Sequence, residues 1–533
     1  MTASSTPESG HPTIATTAAV RPVAVIDIGT TAIRMAIAEI DSVGNIRTLE
    51  TVTQGVDLGK DTFTRGIIRR ATIEDCVKVL KSYRQLLREF QIVNHDQIRI
   101  VATSAVREAT NRLAFLDRIY IATGLTVEPL EEAEVNRITF LGIKPFLHSE
   151  PSLATAKTLV VEVGGGSTEV LLVQSEQVAY SHTYRLGSLR LREMLEEHRL
   201  PKLKVRSIMQ SQIGRTVEEI VMHVPQEGTT ELIALGGDVR FAASQILPEK
   251  KLQHLGRIST ASLERFTDKV LELSIDEIVH KYHISFPDAE TLGPALLAYS
   301  LLARTLRLDH ILVTNVNLRD GLLKDMAVRG SWSDEFSEQV IRSALDFGRK
   351  FCFDENHAVH VALLADKLFR ELAAEHQLDA RFGLLLHVAA LLHEIGLYVN
   401  TTSYHKHSLY LIQYSELFGL TKRDQALIAL VARYHRRASP KPAHPSYAAL
   451  DRDSRVTISK LAALLRVAIA LDRSYSQRIT DLVCQRDEDR LVITIPNIED
   501  LSLEQLALKQ NGLLFEETFG LQVQLRPGHT GRS

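Results

Sequence analysis

Two segments of this 533-residue chain set a carboxylate, glycines and hydroxyls in the same order. The first is Val23 to Asn45, VAVIDIGTTAIRMAIAEIDSVGN, and the second is Thr158 to Gln177, TLVVEVGGGSTEVLLVQSEQ. Each opens on four or five apolar residues, then gives one acid, Asp27 or Glu162, an apolar residue and a glycine. Small and hydroxyl residues follow, then a second apolar strand. Glycines at Gly29, Gly164, Gly165 and Gly166 let the backbone turn tightly, so that N–H groups can converge on an anion. Thr30, Thr31, Ser167 and Thr168 can hydrogen-bond phosphate oxygens. An acid cannot favourably face phosphate alone, but Asp27 and Glu162 could each hold Mg²⁺ or its waters. The chemistry expected is therefore cation-assisted handling of phosphate.

The elements that must position these residues are legible around them. Asp27 and Glu162 lie 135 residues apart, and a repeat of that length means two similar domains rather than a solenoid. Each acid ends a buried-strand pattern and each glycine turn leads into a second strand, so each segment reads as a β-hairpin. After the first, Thr72 to Phe90 has helical spacing, Ile98 to Ala102 reads as a short buried strand, and Arg112 to Thr123 reads as a helix. Asn111 is expected to cap that helix. Strings rich in glycine and charge follow: ATSAVREATN at 102–111, RLGSLRL at 185–191, ALGGDVR at 234–240 and VNLRDGLL at 316–323. Gly187 and Gly236 would let the backbone come close to a cleft between the two domains.

The paired hairpins resemble the phosphate loops of the actin, Hsp70 and hexokinase superfamily. With the later strings, in order, they resemble the exopolyphosphatase/guanosine pentaphosphate phosphohydrolase (Ppx/GppA) family. The resemblance implies two duplicated actin-like (ribonuclease H-like) α/β domains. It implies a hydrolase that releases terminal orthophosphate from inorganic polyphosphate, or the 5′-phosphate of pppGpp. Mg²⁺ would assist a water attack, with Mn²⁺ as an alternative and a monovalent cation as a further candidate. Arg107 matches the family's phosphate-binding arginine, whose guanidinium forks onto phosphate oxygens. Glu169 matches an acid near metal and water, which adds it to Asp27 and Glu162 as a metal residue and to the catalytic set. The family's base is a glutamate at a helix start. Here that position falls on Val135, so Glu134 is the expected base and Glu132 the alternative. Glu162 stands where the family has Asp, and DIGTTA replaces DxGSNS. These departures motivate a second reading: a catalytically weakened sensor that binds polyphosphate or (p)ppGpp.

From Ser333 the texture changes to long helices, Phe336 to Phe353, His357 to Leu372 and Phe382 to Ile395. His357, His393-Glu394, His407, His435 and Asp472 are spread through them, in an order that resembles the HD phosphohydrolase fold with Glu394 in place of its Asp. The resemblance implies a possible second metal site at His357, His393, Glu394 and Asp472. The plainer expectation is a helical module for dimerisation and for shaping a polyanion path. Residues after about 480 read as strand, strand, helix, strand. The expected divisions are a disordered tail at 1–21, domain I at 22–135 with 318–330 returning to it, domain II at 136–317, the HD-like domain at 331–477, and a small α/β domain at 478–533.

Composition bounds the partners. Three cysteines without a CxxC argue against a disulfide framework and a structural zinc site. No run approaches the ~18 apolar residues of a membrane span, and the first twenty residues lack the basic start of a secretory signal. A cytoplasmic homodimer is expected, without membrane or nucleic-acid partners. Net charge is −3, yet Arg185 to Arg215 holds eight Lys/Arg against three acids and Ala432 to Lys460 seven against two. The near-neutral total thus hides basic segments suited to a polyanion.

Overall fold

In the computed structural model, residues 20–528 are described apart from 151, 154–155, 198–201, 226, 248–254, 329–333, 416 and 437. Most of the expected N-terminal tail, residues 1–19, and the final residues 529–533 lie outside this range. Strand β1 (Arg21–Ile28) runs antiparallel to β2 (Ala32–Ile40), which pairs with β3 (Ile46–Gly55). On its other side β1 is parallel to β4 (Ile98–Ala102), which meets β5 (Glu128–Pro129), giving the order β3-β2-β1-β4-β5. The second sheet repeats this plan. Strands β6 (Lys157–Val163), β7 (Thr168–Gln174) and β8 (Gln177–Tyr184) form an antiparallel run, and β6 is parallel to β9 (Thr230–Leu235). Strands β10 (Leu255–Ser259) and β11 (His310–Thr314) complete the order β10-β11-β9-β6-β7-β8.

The apolar run of β1 is explained by burial on both faces. Ala24, Ile26 and Ile28 pack with Leu80 and Leu87 of the helix Arg70–Glu89. Val23 and Val25 pack on the opposite face with Val135 and Ile138 of the helix Glu132–Ser149 and with Leu322 and Leu323 of Leu318–Ala327. Full burial of a Val or Ile side chain contributes about 2 kcal/mol, so β1 is a rigid base for the loop that follows Asp27. The helix Leu318–Ala327, which follows the last strand of the second sheet, therefore packs on the first sheet. Gly321 makes this possible: a Cβ there would sit 2.1 Å from the Ile138 carbonyl oxygen.

The C-terminal region is helical, with Asp334–Lys350, Glu355–Glu371, Arg381–Leu392 and Arg452–Leu471 among its helices. The last segment adds β12 (Val483–Asp487), β13 (Arg490–Pro496) and β14 (Gln522–Gly528). The single helix expected in this segment is two, Ser502–Asn511 and Leu513–Phe519, divided at Gly512. Leu491, Ile493, Phe515 and Leu525 share one apolar core with the helices. Among the described residues no helix is long and apolar enough to cross a membrane.

Candidate active site

The two glycine turns close in the same way. Gly29 N–H donates to the Ala32 carbonyl at 3.0 Å, and Gly164 N–H donates to the Ser167 carbonyl at 2.8 Å. They face one another across a cleft of about 370 Å³ that both domains line. The fit is close, since a Cβ on Gly165 would lie 2.9 Å from Thr30 Cγ2 and one on Gly166 2.4 Å from Ser104 Oγ. Tyr299, fully buried, holds the second turn in place. Its hydroxyl accepts from Val163 N–H at 2.7 Å and donates to the Leu235 carbonyl, tying the ends of β6 and β9 together. Beyond β9, Gly236 adopts φ +110°, a conformation that favours glycine, and starts the helix Gly237–Ile246 at the cleft.

The structure gathers most of the expected residues here. Asp27, Gly29, Thr30, Thr31, Arg107, Glu162, Gly164, Gly165, Gly166, Ser167, Glu169 and Gly236 all line the cleft. Thr168 and Gly187 do not. Thr168 Oγ1 donates to the Leu186 carbonyl at 2.5 Å, so it braces the turn instead of offering a hydroxyl to a ligand. Gly187 lies behind the same turn, where a Cβ would meet the Gly166 backbone at 2.3 Å. Ser188 and Leu189 then donate N–H groups to the Gly164 and Gly165 carbonyls at 2.9 and 3.1 Å. Asn111 does not cap its helix with its side chain. Its amide instead bridges the Ile68 backbone, accepting at 2.9 Å and donating at 2.8 Å.

Glu134, the expected base, does not line the cleft. Glu134 Oε2 accepts from Arg137 Nε at 2.8 Å, Oε1 accepts from Arg137 Nη2 at 2.7 Å, and Arg99 Nη2 is 3.3 Å away. Arg137 and Arg99 both pair onward with Asp325. The helical phase of Glu132–Ser149 turns Val135, not Glu134, to the cleft, and one residue further is a rotation of about 100°. The alternative, Glu132, is also outside the cleft lining, with Oε1 3.6 Å from Arg107 Nη2. Both glutamates therefore hold arginines.

Of the three glutamates expected in the catalytic set, Glu169 is the one that lines the cleft. It pairs in register with Glu162 across β6 and β7, and Ser167 Oγ donates to its Oε1 at 2.5 Å. Burial, and next the adjacent Glu162 charge, push its pKa up to about 7. Burial also raises Asp27 and Glu162, against the pull of Arg34 and Arg319 on the first and of Arg240 on the second. Among the charged lining residues that sequence reasoning missed are Arg34, Asp238, Arg240 and Arg319. Burial pushes Asp238 up to about 7, with Thr291 Oγ1 donating to it at 2.9 Å. Arg34 pairs in register with Asp27, and Arg319 Nη1 lies 3.7 Å from Asp27 Oδ2. Arg34 was detectable as a lone cation in an apolar strand, and the other three stand inside ALGGDVR and VNLRDGLL.

These residues fit a hydrated divalent cation. Five carboxylates line the cleft against four guanidiniums, so once ionised the acids outnumber the cations, and an added cation would offset them beside a polyphosphate. Asp27 Oδ1 is buried with no hydrogen-bond partner among the described residues. No three cleft carboxylates among those residues bring their oxygens within 4.8 Å of one another. Mg²⁺ suits such a site, because it keeps several waters and takes one or two carboxylates plus substrate phosphates.

The second candidate set is brought together separately, in the helical region. His357, His393 and Glu394 each place a potential donor atom within 4.8 Å of the others, and Asp472 Oδ2 lies 2.7 Å from His357 Nδ1. His435 is adjacent, its ring centroid 5.1 Å from that of His393.

Comparison with known proteins agrees with this geometry. The Ppx/GppA phosphatase family profile matches residues 36–329, and the profile of Ppx/GppA phosphatase domain III matches 341–517. A guanosine-5′-triphosphate,3′-diphosphate pyrophosphatase of Photobacterium profundum is 23% identical over 506 residues, covering 92% of this chain and 96% of that protein. The crystal structure of an exopolyphosphatase from Cytophaga hutchinsonii shares the fold, with TM-score 0.51 and 21% identity, over 58% of this chain and 98% of that one. The chain, with its two glycine turns clamped over one acidic and basic cleft, belongs to the Ppx/GppA phosphatase family and is a phosphoanhydride hydrolase.

Proposed function

We propose that the cleft hydrolyses the terminal phosphoanhydride bond of a polyphosphorylated substrate, inorganic polyphosphate or pppGpp, with Glu169 as the general base. The observation that carries this is Glu169 itself: a cleft carboxyl with a pKa near 7, poised between proton acceptor and donor at neutral pH. Ser167 fixes its rotamer through a 2.5 Å hydrogen bond, leaving Oε2 for a water. The glycine turns and the N-termini of the helices Ser104–Glu108 and Gly237–Ile246 offer N–H groups to phosphate oxygens. Arg34, Arg107, Arg240 and Arg319 supply positive charge to the phosphates, which is most of what phosphoryl transfer asks of a protein.

Asp27 and Glu162 would hold Mg²⁺ through its waters, and Glu169 stands beside them. When bound, the cation supplies charge neutralisation to the phosphates. Asp27 and Glu162 then ionise more readily, and Glu169 remains the group that takes the proton from the attacking water. The helical region is part of the proposal as an HD-like module that shapes the approach to the cleft. Its Lys422 N–H donates to Glu131, at the start of the helix that carries Val135, and Phe418 packs edge-on to Phe140 of the same helix at 6.0 Å.

The test is phosphate release by the purified full chain with Mg²⁺, in separate arms with long-chain polyphosphate and with pppGpp. Release in either arm that stops on chelation supports the reading, and the faster arm names the substrate. Binding in both arms without release would replace it with the sensor.

A further inference from the structure

The helical region buries polar side chains that the cleft chemistry does not use. His357 stands in the helix Glu355–Glu371, and His393 and Glu394 directly follow the helix Arg381–Leu392. Both imidazoles are 1% exposed, whereas Glu394 is partly exposed. His357 Nδ1 is 2.7 Å from Asp472 Oδ2, and His393 Nδ1 is 2.7 Å from the Ala390 carbonyl oxygen. Those oxygens accept, so each Nδ1 carries a proton, and in the neutral imidazole each Nε2 is the nitrogen that holds the lone pair. Neither Nε2 has a hydrogen-bond partner among the described residues, although both are buried.

A buried polar atom without a partner costs about 1–3 kcal/mol, and here two such atoms accompany a carboxylate. Glu394 receives long contacts from the Tyr404 and Tyr475 hydroxyls, each 3.3 Å from its Oε1. Tyr475 also stacks on His357 with ring centroids 3.9 Å apart. The imidazoles are thus held from behind and left bare in front.

We propose that His357, His393 and Glu394 bind a divalent first-row transition metal of the Zn²⁺ class, with Asp472 orienting His357 from the second side of its ring. A donor atom of each lies within 4.8 Å of the others, and bonds of about 2.1 Å to a tetrahedral ion put donors about 3.4 Å apart, so side-chain shifts of up to about 1 Å close the site. Two imidazoles and one carboxylate leave a coordination position for water or a ligand oxygen. Imidazole donors select Zn²⁺, Fe²⁺ or Ni²⁺ over Mg²⁺, so this site and the cleft take different ions. The metal would link the helices Glu355–Glu371 and Arg381–Leu392, and through Asp472 the end of Arg452–Leu471.

The full chain, stripped with chelator, is titrated with Co²⁺ and separately with Zn²⁺, each alone. The expected result is one ion per chain, a visible Co²⁺ absorption of the kind nitrogen donors produce, and a rise in thermal midpoint with Zn²⁺. His393→Gln and Glu394→Gln abolish the Co²⁺ band, and Asp472→Asn weakens binding about 10–100-fold. Glu169→Gln, in the cleft, keeps the band, which separates failure here from failure of the cleft assignment. If His393→Gln does not fold, the partly exposed Glu394→Gln and the wild-type spectrum decide. Failure of the wild-type chain to retain Co²⁺ or Zn²⁺ at micromolar concentration overturns the proposal. So does a folded His393→Gln or Glu394→Gln with an unchanged spectrum.

Discussion

Glu169 stands opposite Glu162 across β6 and β7, at the register position that Arg34 holds opposite Asp27 in the first hairpin. The duplicated hairpins thus differ in chemistry at this pair. In the first, a carboxylate faces a guanidinium, whose charge opposes the rise that burial gives Asp27. In the second, two carboxylates share a buried site, and both pKa values rise. Under the proposed function, the same backbone would supply an anion-binding half and an acid–base half.

Removing Glu134 should leave the chemistry in place and weaken the fold. Glu134→Gln leaves Arg137, Arg99 and Asp325 with one negative charge too few in a network that is mostly out of solvent. Loss of a hydrogen-bonded charge there costs about 1–3 kcal/mol. Urea unfolding should show that loss, while kcat for phosphate release stays within about threefold of wild type. A collapse of kcat with unchanged stability would return Glu134 to the catalytic set.

Gly187→Ala should do the reverse of a neutral surface change. Its Cβ would lie 2.3 Å from the Gly166 carbonyl carbon and 2.4 Å from the Gly165 oxygen. Backbone on both sides must move, and overpacking of this kind costs about 1–3 kcal/mol. The moved backbone is the turn proposed to hold phosphate, so KM should rise along with the loss of stability, measured by initial rates over a substrate series. Wild-type KM in a folded variant would mean the turn does not contact substrate.

The cleft carboxyls make the metal-free protein sensitive to rising pH. Glu169 and Asp238 titrate near 7 in the folded chain, against ordinary values of 4.5 and 3.8. Folding therefore takes up protons between those values. This contribution is fully present below the ordinary values and is lost as pH rises through 7. In chelator, the thermal midpoint should fall between about pH 5 and pH 8, and Glu169→Gln should flatten part of that slope. Added Mg²⁺ should raise the midpoint most at the alkaline end. A slope that is the same with and without Mg²⁺ would detach the cation from these carboxyls.

The two hairpins were legible because their period and glycine placement are local, and the string order around them carried the family. The side chains that complete the cleft depend on register and helical phase. Arg34 faces Asp27 only once the turn at Gly29 fixes the β1–β2 pairing. Asp238 and Arg240 enter only because Gly236 takes a positive φ and starts a helix there. Glu134 and Val135 show the limit most directly: adjacent in sequence, they lie on different faces of one helix, and packing of Val135 and Ile138 on β1 decides which faces the cleft. The hydrogen bonds of Thr168 and Asn111 to Leu186 and Ile68 link residues whose proximity no local pattern states.

The pH dependence of phosphate release by Glu169→Gln against wild type tests the central assignment most directly. With saturating Mg²⁺, wild-type kcat should rise as Glu169 ionises. Glu169→Gln should lose about 10²–10⁴-fold in kcat, with that limb absent and KM little changed. A Glu169→Gln enzyme that keeps wild-type kcat and the same rising limb would contradict the account.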